Sequence, residues 1–146
     1  MALRLTVLGS GTIVPSQVRR PTSLLVEGGG EDVLIDCGPG VLQAMEDRGR
    51  SYSAIHRILL THFHPDHTLG IGHLFSALKS DVAVGDRYWL VIYGPQGLSD
   101  FISSWDAMYG SVVPGEDRLS LITLEPGYEV DVGDMLVTAG PSEHGG

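Results

Sequence analysis

Alternation of hydrophobic and polar residues in the first third of the chain predicts β-strands. Residues Leu3 to Leu8 alternate in this way and are followed by Gly9, which predicts a strand that ends at a turn. Two further β-rich segments, 23–27 and 33–36, are joined through Gly28-Gly29-Gly30. Because glycine adopts turn conformations that are strained for other residues, this pattern predicts a β-hairpin.

Apolar residues recur at close to helical spacing in three later segments. After Gly38-Pro39-Gly40, the pattern predicts a short amphipathic helix that stops near Gly49. Segments 67–80 and 98–109 are predicted to form two longer helices, because their apolar residues recur every three to four positions.

The same spacing predicts which side chains of the two longer helices are buried. His73 falls on the apolar side of the first helix and is expected either to be packed or to support a metal ligand. Trp105, Met108 and Tyr109 fall on the apolar side of the second helix. Trp105 and Tyr109 are therefore predicted to be core residues without a functional role.

Short apolar runs predict four more strands. They cover residues 55–60, 88–93, 119–124 and 135–139. Strands that are mixed with intervening helices indicate an α/β layered fold. No repeat, low-complexity tract or linker interrupts the sequence, so residues 1–146 are predicted to belong to one domain.

The residues that can carry chemistry are concentrated in one hexapeptide, His62-Phe63-His64-Pro65-Asp66-His67, directly after the strand predicted at 55–60. On a loop, His62 and His64 can chelate one metal ion, and Asp66 and His67 can point toward a second ion beside it. Two such ions can hold a bridging hydroxide as a nucleophile. A solvated histidine-rich loop is the alternative, but half of the six histidines lie here, beside an acid.

Composition limits the classes of function and the compartment. The chain has 9 Lys and Arg against 18 Asp and Glu, a net charge of -9, which argues against non-specific nucleic-acid binding. A phosphate ester remains compatible, because bound cations can reverse the local field. No apolar run is long enough to span a membrane. The single Cys37 rules out an intrachain disulfide, so we expect a cytoplasmic protein with Cys37 as a buried thiol.

The segment from Thr61 to His67 resembles the second motif of the metallo-β-lactamase superfamily. Segments 9–15, 34–40 and 92–95 are similar to the ribonuclease Z-like branch, which also includes cyclic phosphodiesterases. The resemblance follows nearly the whole chain in order. It implies the αββα sandwich of that superfamily, of which this chain supplies about the first half.

The resemblance also implies a ligand set. His62, His64 and His144 would hold the first metal, and Asp66 and His67 the second. The ions would be two divalent metals, Zn before Mn or Fe. Asp66 would also accept a proton. Asp36 would orient the metal-binding loop by contacting the ligands rather than the metal. Taken alone, Asp36 could instead be a turn residue. His144 taken alone could be a solvated histidine of a polar tail.

The superfamily's bridging aspartate and final histidine have no candidate in the chain. We therefore expect a domain truncated after His144, with an exposed apolar face and a tendency to form a homo-oligomer. The predicted function is metal-dependent hydrolysis of a small-molecule or nucleotide phosphodiester. A thioester, lactone or sulfate ester is the alternative substrate, and a non-catalytic, self-associating half-domain is the alternative class. Pro65, where ribonuclease Z tends to have glycine, and the net acidity argue against a transfer-RNA substrate.

Overall fold

The computed structural model describes residues 2–84 and 87–141. Its main element is a sheet of six strands in the order β1 to β6. These are β1 (Arg4–Gly9), β2 (Ser23–Gly28), β3 (Glu31–Ile35), β4 (Arg57–Leu59), β5 (Leu90–Gly94) and β6 (Leu119–Thr123). The first three strands run antiparallel, and β3 to β6 pair in parallel. The hairpin predicted around the three glycines is therefore present as β2 and β3.

Helices connect the parallel strands and cover one face of this sheet. They are α1 (Val41–Glu46), a 3₁₀ turn (Tyr52–Ala54), α2 (Pro65–Thr68), α3 (Gly70–Ser80) and α4 (Leu98–Tyr109). The main core lies between these helices and the sheet, and its fully buried side chains include Leu34, Ile58, Ile71, Leu74, Phe75 and Ile92. Within the described residues, no helix is long and apolar enough to cross a membrane.

A separate two-stranded hairpin covers part of the other face. It consists of β7 (Glu129–Val132) and β8 (Met135–Thr138). A second, smaller apolar cluster joins the hairpin to the sheet through Val33, Tyr93, Val132 and Met135. Strand β7 was not predicted, because four alternating residues give too short a pattern to distinguish from a loop.

The edge strand β1 carries apolar side chains that stay accessible. Leu5 and Val7 are 61% and 49% exposed, and Leu3, directly before the strand, is 60% exposed. Leu5 pairs with Val26, and Val26 pairs with the buried Val33 of the second cluster. The face that the β7–β8 hairpin covers therefore continues onto β1 as exposed apolar surface.

The predicted helix 67–80 differs from the structure in its buried face and in its continuity. His73 is exposed, because α3 buries Ile71, Leu74 and Phe75 instead, and residue 73 lies roughly 200° around the helix from residue 71. The predicted helix 67–80 is observed as two helices, α2 and α3, which meet at Leu69.

The last turn of α4 also differs from the prediction. Trp105 is buried as expected, but Met108 and Tyr109 are 60% and 66% exposed. Tyr109 stacks on Trp105 with ring centroids 5.8 Å apart. The helix extends beyond the core it covers, so helical spacing continues where no partner surface remains.

Candidate metal centre

The hexapeptide leaves the sheet at the carboxyl end of β4. In open α/β sheets, ligands bind outside the carboxyl ends of parallel strands. His64 is extended (φ -61°, ψ 147°), and Pro65 is the first residue of α2. Proline suits this position because the first helical N–H has no partner within the helix, and it favours an extended residue before it. Pro65 therefore helps α2 to start directly after His64.

The structure brings the four predicted ligands of the hexapeptide together. The His62 ring is adjacent to both other imidazoles, with centroid distances of 4.7 Å to His64 and 4.1 Å to His67. Asp66 Oδ2 is 3.6 Å from His67 Nε2. The predicted fifth ligand, His144, lies outside the described residues.

Asp36 connects the end of β3 to this loop. It is only 2% exposed and has a left-handed backbone conformation, with φ 58°, which aspartate tolerates better than most residues. Its carboxylate accepts hydrogen bonds from the Thr61 backbone N–H at 2.9 Å and from His67 Nδ1 at 2.6 Å. Thr61 Oγ1 lies 3.0 and 2.9 Å from the two carboxylate oxygens. The carboxylate therefore contacts the predicted ligand His67 and the residue that precedes the predicted ligand His62.

Backbone contacts hold the loop after β3 against the hexapeptide. Cys37 N donates to His67 O at 2.7 Å, and Gly70 N donates to Cys37 O at 2.8 Å. Gly38 N donates to the buried Ser23 hydroxyl at 2.9 Å. A Cβ on Gly38 would lie 2.5 Å from Asp66 O, and one on Gly70 would lie 2.7 Å from Cys37 O. The two glycines thus allow the loops to approach each other.

Sequence reasoning did not single out these supporting residues. Thr61 was predicted only as part of a motif, Gly38 only as part of a motif and the start of a helix, and Ser23 and Gly70 only as members of a strand and a helix. The threonine directly before the first histidine was a signal that could have been used. The roles of Ser23 and Gly70 depend on contacts between residues far apart in sequence, which no local pattern indicates.

Cys37 is a fully buried free thiol. Burial, with a smaller contribution from the neighbouring Asp36 carboxylate, raises the pKa of the Cys37 thiol. Since the thiolate is the reactive form, we expect a disulfide reagent at pH 8 to modify Cys37 at least roughly 100-fold more slowly in the native protein than in denaturant. The rate of thiol modification with and without denaturant measures this. Equal rates would show that Cys37 is accessible.

The donor chemistry of His67 and Asp66 fits a divalent cation. His67 Nδ1 donates a hydrogen bond to Asp36. The Nε2 of a neutral His67 then carries a lone pair, and this atom is 3.6 Å from Asp66 Oδ2. Two acceptors at this separation repel unless a cation or proton lies between them. Zinc bonds of about 2.0–2.2 Å at a tetrahedral angle would place two donors about 3.3–3.5 Å apart, close to the observed spacing.

The described residues do not by themselves complete a metal site. No group of three or more His, Cys, Asp or Glu side chains among residues 2–84 and 87–141 is arranged to hold an ion. The hexapeptide therefore supplies donors of the right kind and a pair at the right spacing. Any further ligands must come from rotation of His62 and His64 or from outside the described chain.

A cavity of about 530 Å³ opens beside His62. It lies between the carboxyl ends of β4 and β5 and the end of β8. Its lining is mostly small or apolar and includes Leu59, Thr61, Gly94, Pro95, Leu124, Val137 and Ala139. The cavity gives the predicted metal loop a neighbouring space of the size that small-molecule sites have.

Comparison with known proteins identifies the family. The model of the metallo-beta-lactamase superfamily matches residues 17–141. The chain belongs to this superfamily. Ribonuclease Z of Bradyrhizobium diazoefficiens is 35% identical over 144 residues, which cover 96% of this chain and 46% of the relative.

Solved structures agree with this assignment. The short form of human tRNase Z is 29% identical with a TM-score of 0.64, over 83% of this chain and 44% of that chain. YhfI of Bacillus subtilis, a metallo-beta-lactamase fold protein, is 21% identical with a TM-score of 0.75, over 93% of this chain and 52% of that chain.

These comparisons confirm the predicted α/β fold and the resemblance to the ribonuclease Z-like branch, which is a hydrolase family. The chain spans about half the length of the curated relatives it matches.

Proposed function

We propose that the protein is a metal-dependent hydrolase of phosphodiesters. The observation that carries the proposal is the arrangement behind the hexapeptide, where the buried Asp36 carboxylate orients His67 and the Nε2 of His67 faces Asp66. Divalent ions at this position would activate water and neutralise charge on a phosphodiester oxygen. The family of the chain supports this reading.

The residues of the proposed site would have three roles, which are to bind metal, to accept a proton and to orient a ligand. His62 and His64, with His144, would donate imidazole nitrogens to one ion, and Asp66 and His67 would serve a second. Zinc is favoured by this mixture of imidazole and carboxylate donors, with Mn or Fe as alternatives. The Asp66 side chain is partly accessible, and its carboxylate would accept the proton of the attacking water. Asp36 would keep His67 in the orientation that presents Nε2.

Two observations bear on the size of the substrate. The relatives are named Ribonuclease Z and tRNase Z, which supports an RNA phosphodiester. The net charge of -9 supports a smaller diester, because RNA binding relies on basic side chains. The shared chemistry is a phosphodiester, and the cavity beside His62 would take the group on one side of it. We propose a cytoplasmic enzyme, in agreement with the free Cys37 thiol.

Single alanine substitutions of His64 and Asp66 in the full-length protein test the proposal. Each removes a metal donor, so hydrolysis of bis(p-nitrophenyl) phosphate and of a tRNA substrate should fall at least roughly 100-fold. The matched controls are His73→Ala, which removes an exposed histidine of α3, and Asp100→Ala, which removes an exposed acid of α4. Activity that survived His64→Ala and Asp66→Ala unchanged would overturn the mechanism.

A second candidate is a non-catalytic half-domain that self-associates. The exposed Leu3, Leu5 and Val7 favour it, because they extend the apolar face that the β7–β8 hairpin covers only in part. Molar mass and metal content measured on one chromatographic peak separate the candidates. A homo-oligomer without bound metal supports the half-domain, and close to two ions per chain supports the hydrolase.

A further inference from the structure

The Thr61 hydroxyl lies between the Asp36 carboxylate and the His62 ring. Its Oγ1 is 2.9 Å from Asp36 Oδ2 and 2.9 Å from His62 Nδ1. The Thr61 backbone N–H also donates to Asp36 Oδ1 at 2.9 Å. This second contact holds the residue in place, and a β-branched side chain has few rotamers once its backbone is held.

The number of available protons decides which atom donates in the hydrogen bond between Thr61 and His62. A threonine hydroxyl has one proton, and an ionised carboxylate only accepts. Thr61 therefore donates its proton to Asp36 and offers an oxygen lone pair to His62. For a hydrogen bond to form, His62 Nδ1 must carry the imidazole proton.

We infer that Thr61 is a positioning residue that fixes the Nδ1–H tautomer of His62 and so leaves the Nε2 lone pair for a metal. Asp36 acts on His67 in the same way, but directly, through the 2.6 Å contact with Nδ1. The buried Asp36 carboxylate thus fixes the tautomers of two imidazoles, that of His67 by direct contact and that of His62 through the Thr61 hydroxyl. The inference rests on the proposed metal site but not on the reaction it performs.

The tautomer matters because a neutral imidazole has only one free lone pair. If the proton of His62 were on Nε2, that nitrogen could not bind a cation until the proton moved. Partners behind metal-binding histidines typically change metal affinity by about 10–100-fold. Loss of the Thr61 hydroxyl should cost an amount in this range, while the metal ligands themselves remain.

The test compares Thr61→Val, which keeps the shape and removes the hydroxyl, with Thr61→Ser, which keeps the hydroxyl. Long-range ¹H–¹⁵N spectra of the imidazoles in metal-free protein report the tautomer of His62. We expect Nδ1–H in the wild type and in Thr61→Ser, and a mixture of tautomers in Thr61→Val. Thr68→Val is the control, because the Thr68 hydroxyl donates to the His64 carbonyl at 2.9 Å; it should leave the tautomer of His62 unchanged.

Zinc affinity, measured by competition with a chromophoric chelator, is the second readout. It should fall about 10–100-fold in Thr61→Val and be restored in Thr61→Ser. An Nε2–H tautomer in the wild type, or wild-type tautomer and affinity in Thr61→Val, would overturn the inference. The wild-type spectrum decides the tautomer even if Thr61→Val does not fold. Zinc binding with the expected tautomers but no phosphodiester hydrolysis would overturn the proposed function alone.

Discussion

Asp36→Ala is expected to lower zinc affinity by about 100-fold and to destabilise the fold by about 3–5 kcal/mol. The carboxylate accepts from the Thr61 backbone N–H and from His67 Nδ1. Its removal leaves these part-buried donors without their acceptor, at a cost of about 1–3 kcal/mol each. Alanine also tolerates the left-handed conformation at φ 58° less well than aspartate.

Chelator competition and urea unfolding measure the two effects. Unfolding is followed with chelator present, so that lost metal binding does not contribute to the change in free energy. Asp47→Ala is the matched control, because Asp47 forms an exposed ion pair with Arg20 at 2.8 Å, and such pairs contribute at most about 1 kcal/mol. If Asp36→Ala matched Asp47→Ala in both measurements, Asp36 would have no role in orienting the loop.

Gly38→Ala is expected to lower the free energy of unfolding by about 3 kcal/mol and to weaken metal binding at the same time. The new Cβ would lie 2.5 Å from Asp66 O and 2.8 Å from Thr22 O. Both atoms belong to the backbone, so neither can move by a simple side-chain rotation. The loop after β3 would have to separate from the hexapeptide, which would displace Asp66.

Gly140→Ala serves as the matched control for this substitution. A Cβ at Gly140 has nothing within 4 Å, so its effect should stay within about 0.5 kcal/mol. Urea unfolding and zinc titration of both variants measure the difference. Equal stability of the two would mean that the loops after β3 and β4 are not held as closely as the structure places them.

Local patterns of the sequence were sufficient for most of the elements. Helix α4 has the bounds 98–109 that its apolar spacing predicts, and the hairpin of β2 and β3 follows from its three glycines. These features depend on residues within about four positions of one another, and such neighbours are set by chain geometry alone. The hexapeptide was found for the same reason, since its donors are adjacent in sequence.

Burial at the ends of elements was not predictable in this way. Tyr109, in the last turn of α4, continues an apolar spacing, yet it is exposed. Spacing describes the face of a helix, but only the surface packed against that face decides where burial stops. In α3, Ile71, Leu74 and Phe75 are the side chains packed against the sheet, so His73 lies on the opposite face.

Local patterns in the amino-acid sequence were enough to indicate the family, the α/β class and the candidate metal ligands. How those candidates are supported depends on contacts that exist only in the folded chain. Asp36 and Thr61 are 25 positions apart, and the contacts that join Asp36 to both Thr61 and His67 exist because parallel strands β3 and β4 end at the same edge of the sheet. A proton can be assigned to His62 only when these separated atoms lie within hydrogen-bonding distance, and folding alone brings them there.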